Sequence, residues 1–203
     1  MNSPIKLIEN YIYFYHLDKF CLIPQYPVQI TDSNSASFEQ TNILGRSSPL
    51  YSYSHSGPRT VGFTLTLHRD MLTDVSITKN NFGLEPGQQY QIVEELINTL
   101  QASVLPKYED ATKMVNPPIV AVRFGDNVYI KGVITGGIST TYSGPIVEYG
   151  EGDERKSLYS IVSINLTISE YDPYDAEQIR TLGSYRGLDT TVQGKLNGGN
   201  ILV

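Results

Sequence analysis

Residues 59–68, R-T-V-G-F-T-L-T-L-H, alternate between apolar and polar positions. Arg59, Val61, Phe63, Leu65 and Leu67 fall on one side; Thr60, Gly62, Thr64, Thr66 and His68 fall on the other. A period of two is that of a β-strand with one buried face. Residues 158–171 repeat the pattern and read as the longest strand, with Val162, Ile164, Leu166 and Ile168 set against Ser163, Asn165, Thr167 and Ser169. Val61, Phe63, Leu65, Leu67, Val162, Ile164, Leu166 and Ile168 are therefore the expected core. The polar set Thr60, Thr64, Thr66, Ser163, Asn165 and Thr167 should face solvent, a bore or a neighbouring subunit.

One segment has a helical period instead. In residues 88–105, Ile92, Val93, Leu96, Ile97, Leu100 and Val104 recur at spacings of three and four, while Gln91, Glu94, Glu95, Asn98 and Gln101 cover the other side. Pro106 ends the helix. Ile92, Val93, Leu96, Ile97 and Leu100 should pack it against a sheet.

The remaining pattern is β again. Residues 1–25 include Y-I-Y-F-Y-H-L, a strand or an arm awaiting cover, with His16 as a packed residue. Residues 26–44 read as two strands around the turn-forming D-S-N-S. Residues 48–55 alternate, and Gly57–Pro58 marks a turn before the strand at 59–68, with Arg46 and Arg59 flanking a hairpin. Residues 70–86 carry loop signals. Residues 119–124 and 127–135 form a hairpin around G-D-N, Gly136–Gly137 signals a bulge, and 144–157 reads as a polar, Gly-rich excursion. D-P-Y-D-A-E-Q-I at 172–179 opens a helix, with Pro173 near its first turn. The tail from Gly187 is sparse in core residues and would be flexible unless docked, its terminal I-L-V suiting another subunit. The expectation is a mainly β (α+β) chain: an antiparallel β-barrel or sandwich over residues 26–175 covered by one helix, an N-terminal strand or arm at 1–25, and a C-terminal helix and arm at 176–203.

Composition narrows the function. The 203 residues carry a net charge of −6, and Lys and Arg are scattered rather than gathered into the basic patch that duplex binding needs. The lone Cys21 excludes an intrachain disulfide and reads as a small buried hydrophobe. No apolar run reaches the roughly 18 residues that span a bilayer, and the N-terminus lacks a signal-peptide core, so a reducing cytoplasm is the expected site of synthesis. Fifteen Tyr and no Trp suit surfaces that become buried on assembly.

Candidate chemistry is thin. No Walker loop or dinucleotide fingerprint occurs, and G-E-G-D-E-R-K-S at 150–157 lacks the glycine spacing of a phosphate loop. His16, His55 and His68 are far apart and give no zinc pattern, and no G-x-S-x-G elbow is present. Asp172 and Asp175 read as helix caps rather than cation ligands. A hydrolase would need facing carboxylates, for which Glu148, Glu151, Asp153 and Glu154 are the candidates. No catalytic residue, metal or cofactor is assigned.

The order of the pieces resembles the tube-fold baseplate proteins of contractile-tailed bacteriophages: tail-tube initiators and the tube-like parts of LysM-type baseplate hub proteins. The resemblance rests on residues 45–68, on P-P-I-V-A-V-R-F-G-D-N-V-Y-I-K-G-V-I at 117–134, on T-Y-S-G-P-I at 141–146, and on I-S-E-Y-D-P-Y at 168–174. It covers roughly residues 26–175, and the chain after 175 is too short for a LysM repeat. It implies a non-enzymatic structural protein of the virion, forming a ring, sixfold by the family's habit, at the start of the tail tube. The baseplate hub would lie below it and the tail tube or a second initiator above. DNA would pass through a bore lined by Thr, Ser, Asn and acidic side chains without being specifically bound, and no membrane is involved. A tail terminator or a hub or wedge connector is the alternative, and a cell-wall hydrolase a more distant one.

Overall fold

The structure, a computed structural model, describes residues 10–23, 26–69, 89–106, 118–150, 152, 155–185 and 187–192. Among the described residues nine strands form: β1 (Asn10–Phe14), β2 (Lys19–Leu22), β3 (Ile30–Ser33), β4 (Ala36–Thr41), β5 (Leu50–Ser56), β6 (Thr60–His68), β7 (Ile119–Phe124), β8 (Val128–Tyr149) and β9 (Lys156–Glu170). Among the described residues the α-helices are α1 (Gln89–Ala102) and α2 (Ala176–Leu182), and residues 190–192 are helical as well. Seven strands make one antiparallel sheet in the order β2-β1-β7-β8-β9-β6-β3, and β4 and β5 pair separately.

The sheet does not close. Among the described residues β2 and β3 each have one partner, so the expected closed barrel is an open sheet instead. Both outer strands have only four residues, and after Ser33 the chain leaves the sheet for β4. Closure is not needed for burial, because the sheet curls and α1 covers the face it curls around. The rings of Phe63 on β6 and Phe124 on β7 meet edge-on, with centroids 4.7 Å apart. In a flat sheet the three strand spacings between them would hold them about 14 Å apart.

The concave face is the core. Val61, Phe63, Leu65, Leu67, Val162, Ile164, Leu166 and Ile168 are all buried there, as the alternation predicts. They pack with Ile12, Phe14, Val120, Val122, Phe124 and Ile130, and with Val93, Leu96, Ile97 and Leu100 of α1. The Ile92 side chain lies outside the described residues. The helix ends at Ala102, and Val104, past its end, is half-buried. The aromatic run at the N-terminus is a strand of this sheet, since β1 pairs with both β2 and β7. The Gly125–Asn127 turn joins β7 to β8.

Three expectations change. The longest strand is β8, with 22 residues to the 15 of β9. The predicted excursion at 144–157 is strand up to Tyr149 and again from Lys156, because two register shifts, between Thr135 and Ile138 and between Ser143 and Ile146, absorb the glycines without ending the ladder. Gly136 and Gly137 form the first shift at φ +77° and +76°, a region costly for other residues. Gly57–Pro58 does not turn a β5–β6 hairpin: β5 pairs with β4, and β6 with β3. Residues 30–41 and 50–68 are instead one long hairpin that leaves the sheet near Ser33 and Thr60, with Arg46 in its distal loop. Asp32 belongs to β3 rather than to a turn.

The C-terminal segment changes as well. Asp175 caps α2 in a reciprocal capping box with Gln178, while Pro173 stays outside the helix and Asp172 lies 4.0 Å from Lys131. No residue of α2 is buried. Residues 183–185 and 187–192 lie across the convex face of their own sheet, while the rest of the tail, with its terminal I-L-V, lies outside the described residues. Val192 is buried with Tyr11, Tyr13, Phe20, Ala121 and Tyr129, and Tyr185 and Leu188 pack on the cluster. Few apolar residues suffice because Asp189 anchors the strap. Its Oδ2 accepts from the Tyr15 hydroxyl at 2.8 Å and its Oδ1 from the amides of Thr191 and Val192.

Candidate functional site

The polar alternates of β6 and β9 share one surface. Thr60 opposes Ser169, Gly62 opposes Thr167, Thr64 opposes Asn165 and Thr66 opposes Ser163. The register extends the surface to Thr31 and Ser33 on β3, and to Thr135, Ser139 and Thr141 on β8. Thr64 and Asn165 are exposed; Thr60, Thr66, Ser163 and Thr167 are half-buried. The hydroxyls satisfy each other in part, Ser33 Oγ with Thr60 Oγ1 at 2.7 Å and Thr135 Oγ1 with Ser169 Oγ at 3.0 Å. Because Gly62 has no side chain, a groove of about 560 Å³ runs past Thr31, Thr60, Thr64 and Thr66. The six predicted residues thus meet on one convex face. No charged side chain stands at these register positions, so the acidic component expected of a bore lining is not part of this face.

Two projections leave the sheet at opposite ends of β6. Beyond Thr60 stands the β4–β5 arm, exposed at every strand residue and carrying Phe38, Leu50, Tyr51 and Tyr53. Phe38 and Tyr53 stack edge-on at 5.7 Å. Past His68 the β8–β9 hairpin extends beyond the last β6 pairing, with Tyr142, Ile146 and Tyr159 exposed near or along it. Nine residues of β6 hold the two apart by about 27 Å. Arms of this kind bare both apolar side chains and unpaired backbone edges.

Arg59 braces the root of the arm. Alternation puts it on the core side, and it is buried there. Its Nε and Nη2 donate to both oxygens of Asp32 at 2.8 and 2.7 Å, and its Nη1 donates to the Tyr129 carbonyl at 3.0 Å and lies 3.5 Å from Glu170. Burial opposes the guanidinium charge, but Asp32 and Glu170 outweigh it and raise the pKa. This clamp ties β3, β6, β8 and the end of β9 together. Arg69 does the same at the other end of β6: it donates to the Tyr159 carbonyl at 2.7 Å and pairs with Glu94 of α1. Glu94, expected to face solvent, is therefore a cross-link. Sequence reading missed both arginine hubs; buried positions within or just past an alternating strand were the available signal.

Among the described residues the nominated reactive groups do not converge. His55 is exposed, its Nδ1 3.2 Å from the Ser54 hydroxyl next to it in the chain. His16 is buried beside the β1–β2 turn and His68 ends β6. The Cys21 thiol is buried, and desolvation, with Glu95 adding to it, pushes its pKa up to about 12. Glu148 lies exposed 3.8 Å from Arg155, and Glu151, Asp153 and Glu154 lie outside the described residues. Among the described residues no group of three His, Cys, Asp or Glu gathers as metal ligands, and no helix is long and apolar enough to cross a membrane. A cleft of about 640 Å³ opens at the arm root, walled by Tyr53, Pro58, Tyr171, Pro173 and Tyr174. No protein-family model matches the chain, and no curated protein matches it in sequence.

Proposed function

We propose that this chain is a structural ring subunit of a contractile phage tail, of the tail-tube fold type, set where the baseplate hub meets the tail tube. The observation that carries the reading is the pair of projections. Two different sticky ends on one molecule make a head-to-tail contact, and repetition of such a contact closes into a ring or runs on as a filament. The β4–β5 arm and the β8–β9 tip offer both apolar side chains and free backbone edges to the next copy. The hydroxyl face on β3, β6, β9 and β8 would then line the bore. Uncharged hydroxyls offer a phosphate backbone no counterion, so DNA slides without being held.

Sedimentation velocity of the purified chain from about 1 μM to about 100 μM, with electron microscopy of the assembled fraction, tests this. Rings with a central channel are the expected result. A monomer across that range, and no density for the chain in tails of the source virion, would overturn it.

A further inference from the structure

The distal loop of the arm presents a preformed apolar knob. The Arg46 amide donates to the Ile43 carbonyl at 3.2 Å, and Gly45 takes φ +83°, closing a tight turn. That turn holds Leu44 fully exposed beside a partly exposed Ile43, with Arg46 exposed next to them. A fully exposed leucine on an ordered turn is set up for a pocket. The arm-root cleft has the complementary make-up: aromatic and proline walls from Tyr53, Pro58, Tyr171 and Tyr174, and Asp172 partly exposed at its lining, 4.0 Å from Lys131.

The knob cannot reach the cleft of its own molecule. The arm pairs from Ala36↔Ser56 at the root, through a bulge after Ser37, to Thr41↔Leu50 near the loop, so about 10 Å of ladder separates even the uppermost cleft wall, Tyr53, from the loop. Ser35, Ser56 and Gly57 line the cleft itself, so it belongs to the root. A second molecule must supply the occupant.

We infer that the arm loop of one copy, Ile43, Leu44 and Arg46, seats in the arm-root cleft of the next copy. Leu44 and Ile43 go against the tyrosine and proline walls, and Arg46 goes toward Asp172. The contact is heterologous and repeats with each subunit. It rests on the self-assembly reading and gives the arm a specific seat within it.

The test uses the full chain in two single variants, Leu44→Cys and Ala176→Cys. Ala176 is an exposed residue of the cleft lining, so neither change disturbs a core position. Cys21 is buried with a raised thiol pKa and stays out of exchange at mildly alkaline pH. The two variants are mixed, assembled and oxidised, and the products are mapped by mass spectrometry. A covalent dimer carrying a 44–176 bridge is expected. Assembly without that bridge, or with 44–44 bridges alone, overturns the seat and leaves the ring standing; absence of any assembly by the wild-type chain removes both. As a second measurement, Arg46→Glu should weaken association by roughly tenfold and Asp172→Arg added to it should restore it. Failure of that rescue counts against the Arg46 orientation.

Discussion

The convex face of the sheet has two halves with opposite treatment. Over β1, β7 and the start of β8 its side chains are Tyr11, Tyr13, Ala121 and Tyr129, and the chain spends its own residues 183–192 covering them. Over the rest of β8, β9, β6 and β3 they are mostly threonines, serines and an asparagine, with Val133, Ile161 and His68 among them, and these positions stay half-buried or exposed. Tyrosine rings in water cost free energy that a cover recovers; hydroxyls are already content with water and with each other. The face left bare is the one that tolerates being bare, which is the property a channel lining needs. Exposed aromatics elsewhere, on the arm and the β8–β9 tip, then stand out as surfaces awaiting a partner.

The sharpest way to break the comparison lies where the halves join. Gly132 on β8 opposes Glu170, and a Cβ there would sit 1.9 Å from the Ser169 carbonyl oxygen. Backbone cannot yield as a side-chain tip can. Gly132→Ala should therefore cost about 3–5 kcal/mol or prevent folding, read by denaturant unfolding. Gly136→Ala, in open space but at positive φ, should cost only about 1 kcal/mol.

Beneath the hydroxyl half, Ile164→Ala removes a fully buried side chain and should cost about 2–5 kcal/mol. Thr64→Ala, on the opposite face of the sheet one strand away, should stay within about 0.5 kcal/mol. A small difference between the two would mean that the convex face is covered in the free chain.

How much of this was legible follows the same division. The alternation of β6 and β9 and the stripe of α1 identified the concave core, because each needs only the period of its own segment. The length of β8 was hidden, since Gly136–Gly137 and Gly144–Pro145 look like breaks until β9 is seen to bridge them. The arm was hidden for a related reason. β5 alternates as β6 does, yet β5 pairs with β4 in open solvent while β6 buries one face in the core that α1 shares. Periodicity says that a strand has two faces and says nothing of what lies against either. The arginine hubs depend on partners distant in sequence, Asp32 27 residues from Arg59 and Tyr159 90 residues from Arg69. From Gly187 the strap reads as a loose tail because Leu188 and Val192 are too few to make a pattern, and Asp189 makes up the difference.

On the covered half, Asp189→Ala removes the acceptor of three hydrogen bonds and should cost about 1 kcal/mol. The readout specific to the strap is faster hydrogen exchange at the Thr191 and Val192 amides, with the β9 amides unchanged. The pH dependence has a definite sign. Partial burial alone would raise the Asp189 pKa, but the bonds from Tyr15, Val192 and Thr191 outweigh it and lower it. A carboxyl with a depressed folded pKa contributes stability that is complete above its unfolded pKa, near 4, and is lost as pH falls through the folded value. Strap protection should hold through neutral and mildly acidic pH and fade only in stronger acid. Asp189→Asn should abolish that acid step.

The bare half yields the smallest effect on stability and the most telling one on function. Thr64→Lys places a cation at an exposed position among uncharged neighbours, with no carboxylate on the face to neutralise it. Folding should change by no more than about 0.5 kcal/mol. Binding to duplex DNA should rise above that of the wild-type chain, and it should weaken as salt rises, with a slope of about 0.9 in log–log terms for each phosphate contacted. If the face lines a bore, an assembled ring multiplies that contact by its number of subunits, so the ring should show a steeper salt slope than the free chain. An equal slope in ring and monomer would turn the hydroxyl face outward and send the search for the bore to another surface.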